Sequence, residues 1–253
     1  MSAIGQNAQK VVDAAWAVAM GLLDDGTVSV GRAQGYTATS ATSGKVIRAT
    51  TYTPQGANAQ RSVNSTNASD TSAGTGARTV TINYLDASFV YKSTTVTLNG
   101  TTAVATSVSD IAFIESIVVA SVGSSGGNVG TIQVWTNNNG TGSIWGSIAV
   151  SDNQTFWAHH YVPSGVSCYV LSMNCGATVV AGQCNMNHSG DPLNANLPQL
   201  QIGMTLMHAA ANSWSHDFRI PLAIPGPDLI WLVERPVATT ASTAVAGFEY
   251  IQF

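Results

Sequence analysis

Charged side chains are scarce in this sequence. They make up 9% of its 253 residues, against roughly 25% in an ordinary soluble domain, and none occurs between Asp152 and Asp191. A chain that works alone in solution usually keeps a mixed charged surface. Interface centres are depleted of charge, so we expect another chain to cover part of this surface. The alternative is a neutral surface solvated by hydroxyl and amide groups.

Basic clusters and long apolar runs are also missing. The nine lysines and arginines are scattered and the formal net charge is −4, so no basic stripe neutralises phosphates and direct nucleic-acid binding is not expected. No apolar run has the length needed to cross a bilayer. Residues 11–23 come nearest to a signal peptide but lack its order of regions. We therefore expect no membrane association and a leaderless protein made in the cytoplasm.

Neither the cysteines nor the usual catalytic motifs indicate a metal centre or an active site. Cys168, Cys175 and Cys184 contain no C-x-x-C pair, so we expect free, buried thiols and no zinc site. No G-x-S-x-G nucleophile motif appears. The sequence therefore predicts a protein that is not an enzyme and that carries no metal or cofactor.

Two kinds of site stay open as alternatives. A metal site would combine His208 and His216 with Asp217 or His188, whereas the bland interpretation places these residues as ordinary polar groups at strand ends. A glycosidase would need two carboxylates brought together from distant positions. Most acidic residues of the second half lie beside turns, where aspartate has a structural role.

Tryptophans offer a candidate sugar-stacking surface. Trp135, Trp145 and Trp157 lie in predicted strands, and an exposed indole ring can stack on the apolar face of a sugar. Tryptophan on a strand belongs more often to a core or an interface. Sugar stacking is therefore the alternative hypothesis for these three residues.

The first 26 residues are predicted to form a helical anchor. Apolar side chains recur at helical spacing between residues 8 and 23, Asn7 can cap the start, and Asp24-Asp25-Gly26 can end the helix. The candidate anchor or interface residues are Val11, Val12, Trp16, Val18 and Leu22. Residues 27–76 are rich in glycine, threonine, serine and asparagine, and are predicted to form an extended arm or a loop-rich segment.

Residues 77–253 are predicted to form one all-β domain, a β-sandwich of the jelly-roll type. Segments with a period of two alternate with turn residues about every 8–12 positions, which is typical of such folds. Residues 78–85 and 88–98 predict a hairpin, and the apolar, β-branched run 111–122 predicts a buried strand. Further strands are predicted at 130–136, 143–150, 155–162, 166–173, 178–187, 197–208, 214–222, 228–234 and 243–253.

Two segments carry a resemblance to a known family. Residues 67–82 read NASDTSAGTGARTVTI and residues 96–104 read VTLNGTTAV. Both resemble a family of virion structural proteins of tailed bacteriophages, whose members show NDTAAGTGARTVTI followed by VTLNGTTAV. Shorter similarities follow at 121–132, 162–172 and 244–251. The resemblance spans residues 65–253. Within it we expect Gly74 and Gly76 to form a flexible entry to a strand.

The resemblance implies a β-rich structural component of a virion with no catalytic residues. The resemblance does not assign this component to the head, neck or tail. Together with the low charge and the predicted arrangement of arm and sandwich, it leads us to expect a capsid decoration (cement) protein or a head fibre that binds and stabilises the assembled shell. The expected partners are further copies of the chain, as a homotrimer, and the major capsid protein or another virion protein. The alternatives are a fibre or baseplate component of the tail or neck, and a carbohydrate-binding module.

Overall fold

The computed structural model of the chain describes residues 29–39, 45–46, 57–178, 181–189, 200–208, 213–236 and 242–252. The regular elements within these ranges are β-strands, which confirms the all-β class. The helical anchor predicted for residues 1–26, with Val11, Val12, Trp16, Val18 and Leu22, lies outside the described residues. No helix in the described part of the chain is long and apolar enough to cross a membrane.

Sixteen strands occur in the described ranges. They are β1 Ser29–Thr39, β2 Lys45–Val46, β3 Ser62–Ser65, β4 Ala77–Leu85, β5 Tyr91–Thr97, β6 Val104–Ala105, β7 Phe113–Val122, β8 Ile132–Trp135, β9 Ile144–Ile148, β10 His159–Val162, β11 Ser167–Ala177, β12 Gly182–Ser189, β13 Leu200–His208, β14 Ser213–Pro225, β15 Asp228–Pro236 and β16 Ser242–Gln252. Every strand predicted after residue 77 has a counterpart here. Period-two alternation and turn residues are therefore reliable guides to this part of the chain.

The chain divides into two compact units. The first unit contains β1, β2 and β10–β16, and the second contains β3–β9, which lie between β2 and β10 in the sequence. This division differs from the single domain predicted over 77–253. It also differs from the arm predicted over 27–76, because β1 pairs with β16 along all eleven of its residues. Threonine and glycine indicate a loop when they are read locally, but a distant strand can still pair with such a segment.

The first unit contains two antiparallel sheets. Their strand orders are β1-β16-β11-β14 and β10-β15-β12-β13, and β2 also pairs with β15. Eight of these strands pair in a nested way: β1 with β16, β2 with β15, β11 with β14, and β12 with β13. Each pair therefore encloses the next pair along the chain. The outermost pair, residues 29–39 and 242–252, lies in one sheet.

Side chains from both sheets form one core between them. Its members include Cys168, Val170, Met173, Cys175 and Phe248 from the first sheet, and Cys184, Met186, Ile230 and Leu232 from the second. The stretch without charge between Asp152 and Asp191 includes β10, β11 and β12. Alternate side chains of β11 are buried in the core, so burial inside the unit accounts for the lack of charge at these core-facing positions.

The second unit also contains two antiparallel sheets, β6-β3-β8-β9 and β5-β4-β7. The predicted hairpin is confirmed as β4 and β5, whose register runs from Thr79 opposite Thr97 to Leu85 opposite Tyr91. The central strand β4 buries alternate side chains, as its sequence pattern indicates. The run 111–122 forms β7 and pairs with β4, so its β-branched residues do indicate a strand.

Phe248 tests the core of the first unit. It is fully buried between the sheets, whereas Val245 on the same strand is 38% exposed. We expect Phe248→Ala to lower the free energy of unfolding by about 3–5 kcal/mol, because it removes a buried ring and leaves a cavity. Val245→Ala should change it by about 0.5 kcal/mol or less. Urea denaturation of both variants measures the difference, and equal losses would contradict the arrangement of this core.

Candidate functional site

The tryptophans predicted as a sugar-stacking surface are not exposed together. Trp145 is 0% and Trp157 is 4% exposed, and the guanidinium of Arg61 lies 4.2 Å from the ring centroid of Trp145. Trp135 is half-buried, and its indole N–H donates a 2.7 Å hydrogen bond to Asn64 Oδ1. Burial leaves the rings of Trp145 and Trp157 no face for a sugar, which corrects the stacking hypothesis for these two residues.

The histidines suggested as metal ligands have other neighbours. His188 Nδ1 lies 2.6 Å from Asp228 Oδ2, and His216 is exposed and packs edge-on against Phe218, with ring centroids 5.1 Å apart. The side chain of His208 lies outside the described residues. Among the side chains that the structure does describe, no three histidine, cysteine or acidic groups are placed to hold a metal ion. The metal alternative therefore gains no support from the geometry.

The cysteines are free and buried, as the sequence predicts. Burial raises the pKa of Cys168 to about 12. The pKa of Cys184 is raised by its hydrogen bond with Cys175, then by burial and by the negative charge of Glu234. Because the thiolate is the reactive form, Cys168 and Cys184 stay protonated and unreactive near neutral pH.

A fully buried carboxylate organises the loops of the second unit. Asp70 is 0% exposed, and its Oδ2 accepts hydrogen bonds from Ser65 Oγ at 2.6 Å and from the Gly130 amide at 2.8 Å. Its Oδ1 accepts from the amides of Ala77 at 2.7 Å and Val129 at 3.0 Å. A buried charge is tolerated only when such donors replace water. Asp70 thereby ties the starts of β4 and β8 to the end of β3.

The glycines around Asp70 allow neighbouring segments to pack closer together than a side chain would permit. A Cβ on Gly76 would collide with Asp70 Oδ1, and a Cβ on Gly130 would collide with Ser65 Oγ. Gly100, at φ +59°, donates its amide to the Asp70 carbonyl at 2.8 Å. We expected Gly74 and Gly76 to form a flexible entry to a strand. This prediction is wrong, because both glycines are tightly packed against neighbouring residues.

The segments that carry the family resemblance meet at this joint. The first contributes Asp70 and Gly76, the second contributes Gly100, and the third contributes Val129 and Gly130. The contacts among these segments are structural and belong to one loop joint of the second unit. The role of Asp70 was not anticipated. The available signal was a single acidic residue in a run of small residues and glycines.

An exposed apolar turn joins β4 to β5. We call residues 86–91, which are this turn and the first residue of β5, the hairpin tip. Val90 is 51% and Tyr91 is 39% exposed. Phe89 adopts φ +61°, a left-handed conformation that costs a bulky residue on the order of 1–3 kcal/mol. Strain of this kind persists only where the surrounding structure enforces it, so the shape of the tip is strongly specified.

Asp86 supplies the hydrogen bonds that enforce this shape. Its Oδ1 accepts from the amides of Ser88 at 2.8 Å and Val90 at 3.0 Å. Its own amide donates to the Val90 carbonyl at 3.2 Å, and the Phe89 amide donates to the Asp86 carbonyl at 2.9 Å. The apolar side chains are therefore presented on a fixed polar scaffold.

Three charged residues and a tyrosine form a cluster behind the tip. Lys92 Nζ lies 2.7 Å from both Asp86 Oδ2 and Asp110 Oδ2, and Tyr84 donates its hydroxyl to Asp110 Oδ1 at 2.9 Å. The hydrogen bond from Lys92 lowers the pKa of each aspartate and raises the pKa of the lysine. Burial, then the bond to Asp110, raises the pKa of Tyr84 to about 12.

A second unusual surface lies in the first unit. Residues 213–217, the first five of β14, are exposed on both faces, and we call them the exposed edge. Trp214 is 56% exposed, although it lies opposite the buried Cys175 in the register with β11. Within the described residues, β14 pairs with β11 on one side only and ends its sheet. Uncovered sheet edges can pair with another chain.

Comparison with known proteins gives little beyond this geometry. No protein-family model matches the chain, and no curated protein matches it. A structure of the Gx strain of infectious bursal disease virus is 7% identical over 91% of this chain and 72% of that chain, with a TM-score of 0.24. A T13 particle of the same virus is 9% identical, with coverages of 100% and 86% and a TM-score of 0.19. A likeness of this size carries no argument about fold or function.

Asp70→Asn tests the buried joint. The amide side chain would place an N–H group against backbone donors, so we expect the second unit to lose on the order of 3 kcal/mol of unfolding free energy. Ser65→Ala removes one of the four donors to Asp70 and also the acceptor of the Asn67 amide, and it should cost about 1–2 kcal/mol. Chemical denaturation gives both values. A loss for Asp70→Asn no larger than that for Ser65→Ala would contradict the role assigned to the carboxylate.

Lys92→Met tests the cluster behind the tip. The lowered pKa values of Asp86 and Asp110 stabilise the fold above their ordinary pKa, and this contribution is lost as the pH falls below about 4. We therefore expect Lys92→Met to melt at a lower temperature at neutral pH, and the difference from the unmodified chain to narrow as the pH falls.

Arg32→Met serves as the control, because Arg32 and Glu249 form an exposed pair at 3.8 Å that should contribute little. Melting curves from pH 2 to 7 make the comparison. A constant difference between Lys92→Met and the unmodified chain over this range would contradict the cluster.

Proposed function

We propose that this chain is a structural component of a virus particle, and that it acts by binding other subunits. The nested pairing of the eight strands in the first unit carries the proposal. This connectivity is that of a jelly roll, which occurs in viral capsid and lectin domains. A fold alone does not assign a function, so the surfaces of the two units supply the rest of the argument.

The hairpin tip has the chemistry of an interface centre. Val90 and Tyr91 are exposed apolar side chains, and the charged groups of Asp86, Lys92 and Asp110 lie next to them. An apolar centre with a polar rim is typical of protein–protein contacts. A scaffold fixed before binding lowers the entropic cost of forming such a contact.

Within the particle, we propose a capsid decoration (cement) protein or a head fibre of a tailed phage. The family resemblance of residues 67–82 and 96–104 supports a virion component without assigning it to the head, neck or tail, and the scarcity of charged residues supports contact with other subunits. A protein that binds only the assembled shell stabilises that shell by mass action. The proposed partners are the major capsid protein and further copies of the chain, as a homotrimer. A tail or neck component is the alternative.

Particles from the genome that encodes the chain provide the first test. We expect mass spectrometry of purified particles to find the chain at a fixed, stoichiometric copy number, and the full-length protein to sediment with shells that lack it. Absence from purified particles would overturn the proposed function. Particles that contain the chain only in separated tails would favour the tail or neck alternative.

Substitutions in the hairpin tip provide the second test. Val90→Asp places a charge in the proposed contact, so we expect it to reduce binding to shells at least tenfold, since a buried unpaired charge is costly. Thr97→Asp is the matched control, because Thr97 is exposed at the other end of β5. Thermal melts check that both variants are folded. Equal binding by the two variants would exclude the tip as the shell contact.

A further inference from the structure

The exposed edge has the properties of a strand that pairs with a copy of itself. Residues 213–217 present both faces to solvent, and within the described residues only β11 pairs with β14. Ser213, Ser215 and Asp217 face away from the core, because they alternate with Trp214 and His216, which lie opposite the buried Cys175 and Met173. One face of this edge is thus polar and the other is aromatic.

We propose that residues 213–217 pair antiparallel with the same residues of a second copy, across a two-fold axis at Ser215. The two first-unit sheets that contain β14 then continue into one another. A two-fold contact cannot close a homotrimer, so this contact would join copies that belong to neighbouring trimers, and it rests on the proposed function for that setting. The occupant of the edge is a second copy of this chain.

Geometry restricts the possible registers. A two-fold axis normal to the sheet keeps every side chain on its own face, so a residue can lie opposite only a residue an even number of positions away. The axis must therefore pass midway between one residue and the same residue of the second copy. If that residue were Asp217, two carboxylates would lie opposite each other, which is destabilising. An axis at His216 would place two imidazoles opposite each other.

The axis at Ser215 gives complementary pairs. Ser213 then lies opposite Asp217 of the second copy, so a hydroxyl donor meets a carboxylate acceptor. Trp214 lies opposite His216 of the second copy, so two rings meet on the other face. Each pair occurs twice by symmetry, and cross-strand pairs of these kinds are favourable. Ser215 is also the midpoint of the five residues exposed on both faces, so this register pairs the whole exposed edge.

The contact is short and should be weak between free molecules. Specific stable interfaces bury roughly 1,200–2,000 Å² in total, which five residues from each chain do not reach. Attachment of many copies to one particle raises their effective concentration, and a weak contact can then form without any new interaction. A covalent trap is therefore the appropriate measurement in solution.

Two serine-to-cysteine variants of the full-length chain form a matched pair. Ser215→Cys places two thiols directly opposite each other, where the Cα atoms of an antiparallel pair are about 4.5–5.5 Å apart, within disulfide range. Ser213→Cys lies on the same strand and face, but four residues separate it from its copy along the strands, roughly 13 Å. Both changes are nearly isosteric. The native cysteines are buried and should give little background.

We expect mild oxidation of concentrated protein to give a covalent dimer with Ser215→Cys at least tenfold more than with Ser213→Cys. Adding Trp214→Lys to Ser215→Cys should reduce dimer formation, because it removes an aromatic pair and adds a charge. Equal yields from the two single variants, or no dimer from Ser215→Cys at any soluble concentration, would overturn the inference. These results are independent of whether the chain is found in particles, so failure here and failure of the proposed function are distinguishable.

Discussion

A carboxylate that has lost its water must be surrounded by hydrogen-bond donors, and the second unit is arranged around this requirement at Asp70. Four donors from three separate segments reach its two oxygens, and glycines allow the backbone to approach closely enough. The hairpin that ends in the tip begins at this joint, because Ala77 opens β4. The Asp70 joint and the exposed apolar turn thus lie at opposite ends of β4.

Several charged residues in the described part of the chain have structural roles. Asp70 holds a loop joint, Lys92 joins two aspartates behind the hairpin tip, and Asp228 holds His188. Burial lowers the pKa of Arg61, whose guanidinium packs on Trp145 and donates to backbone carbonyls. Only 9% of the residues in the whole sequence are charged. A surface with few charges suits contact with other subunits.

Two surfaces depart from the ordinary pattern of each unit, and they differ in kind. The hairpin tip is a strained apolar turn on a fixed polar scaffold, which suits an anchor in a preformed partner surface. The exposed edge is a length of strand with one edge unpaired in the described part of the chain, which suits growth of a sheet between copies. A particle component needs both kinds of contact, one to its support and one to its neighbours. The two surfaces consist of different residues, so a substitution can disrupt one of them and leave the other unchanged.

The sequence by itself determined the all-β class and the strands after residue 77, because alternation and turn chemistry are local properties. It also determined that the cysteines are buried thiols. Tertiary structure decided which strands pair: residues 29–39 resemble a loop until β16, about 200 positions away, supplies a partner. It also decided that Trp145 is buried while Trp214 is exposed. It decided, in addition, that the Asp70 carboxylate holds three separate segments together. The pairing of distant strands depends on residues far apart in the sequence, and no local pattern in a single sequence records it.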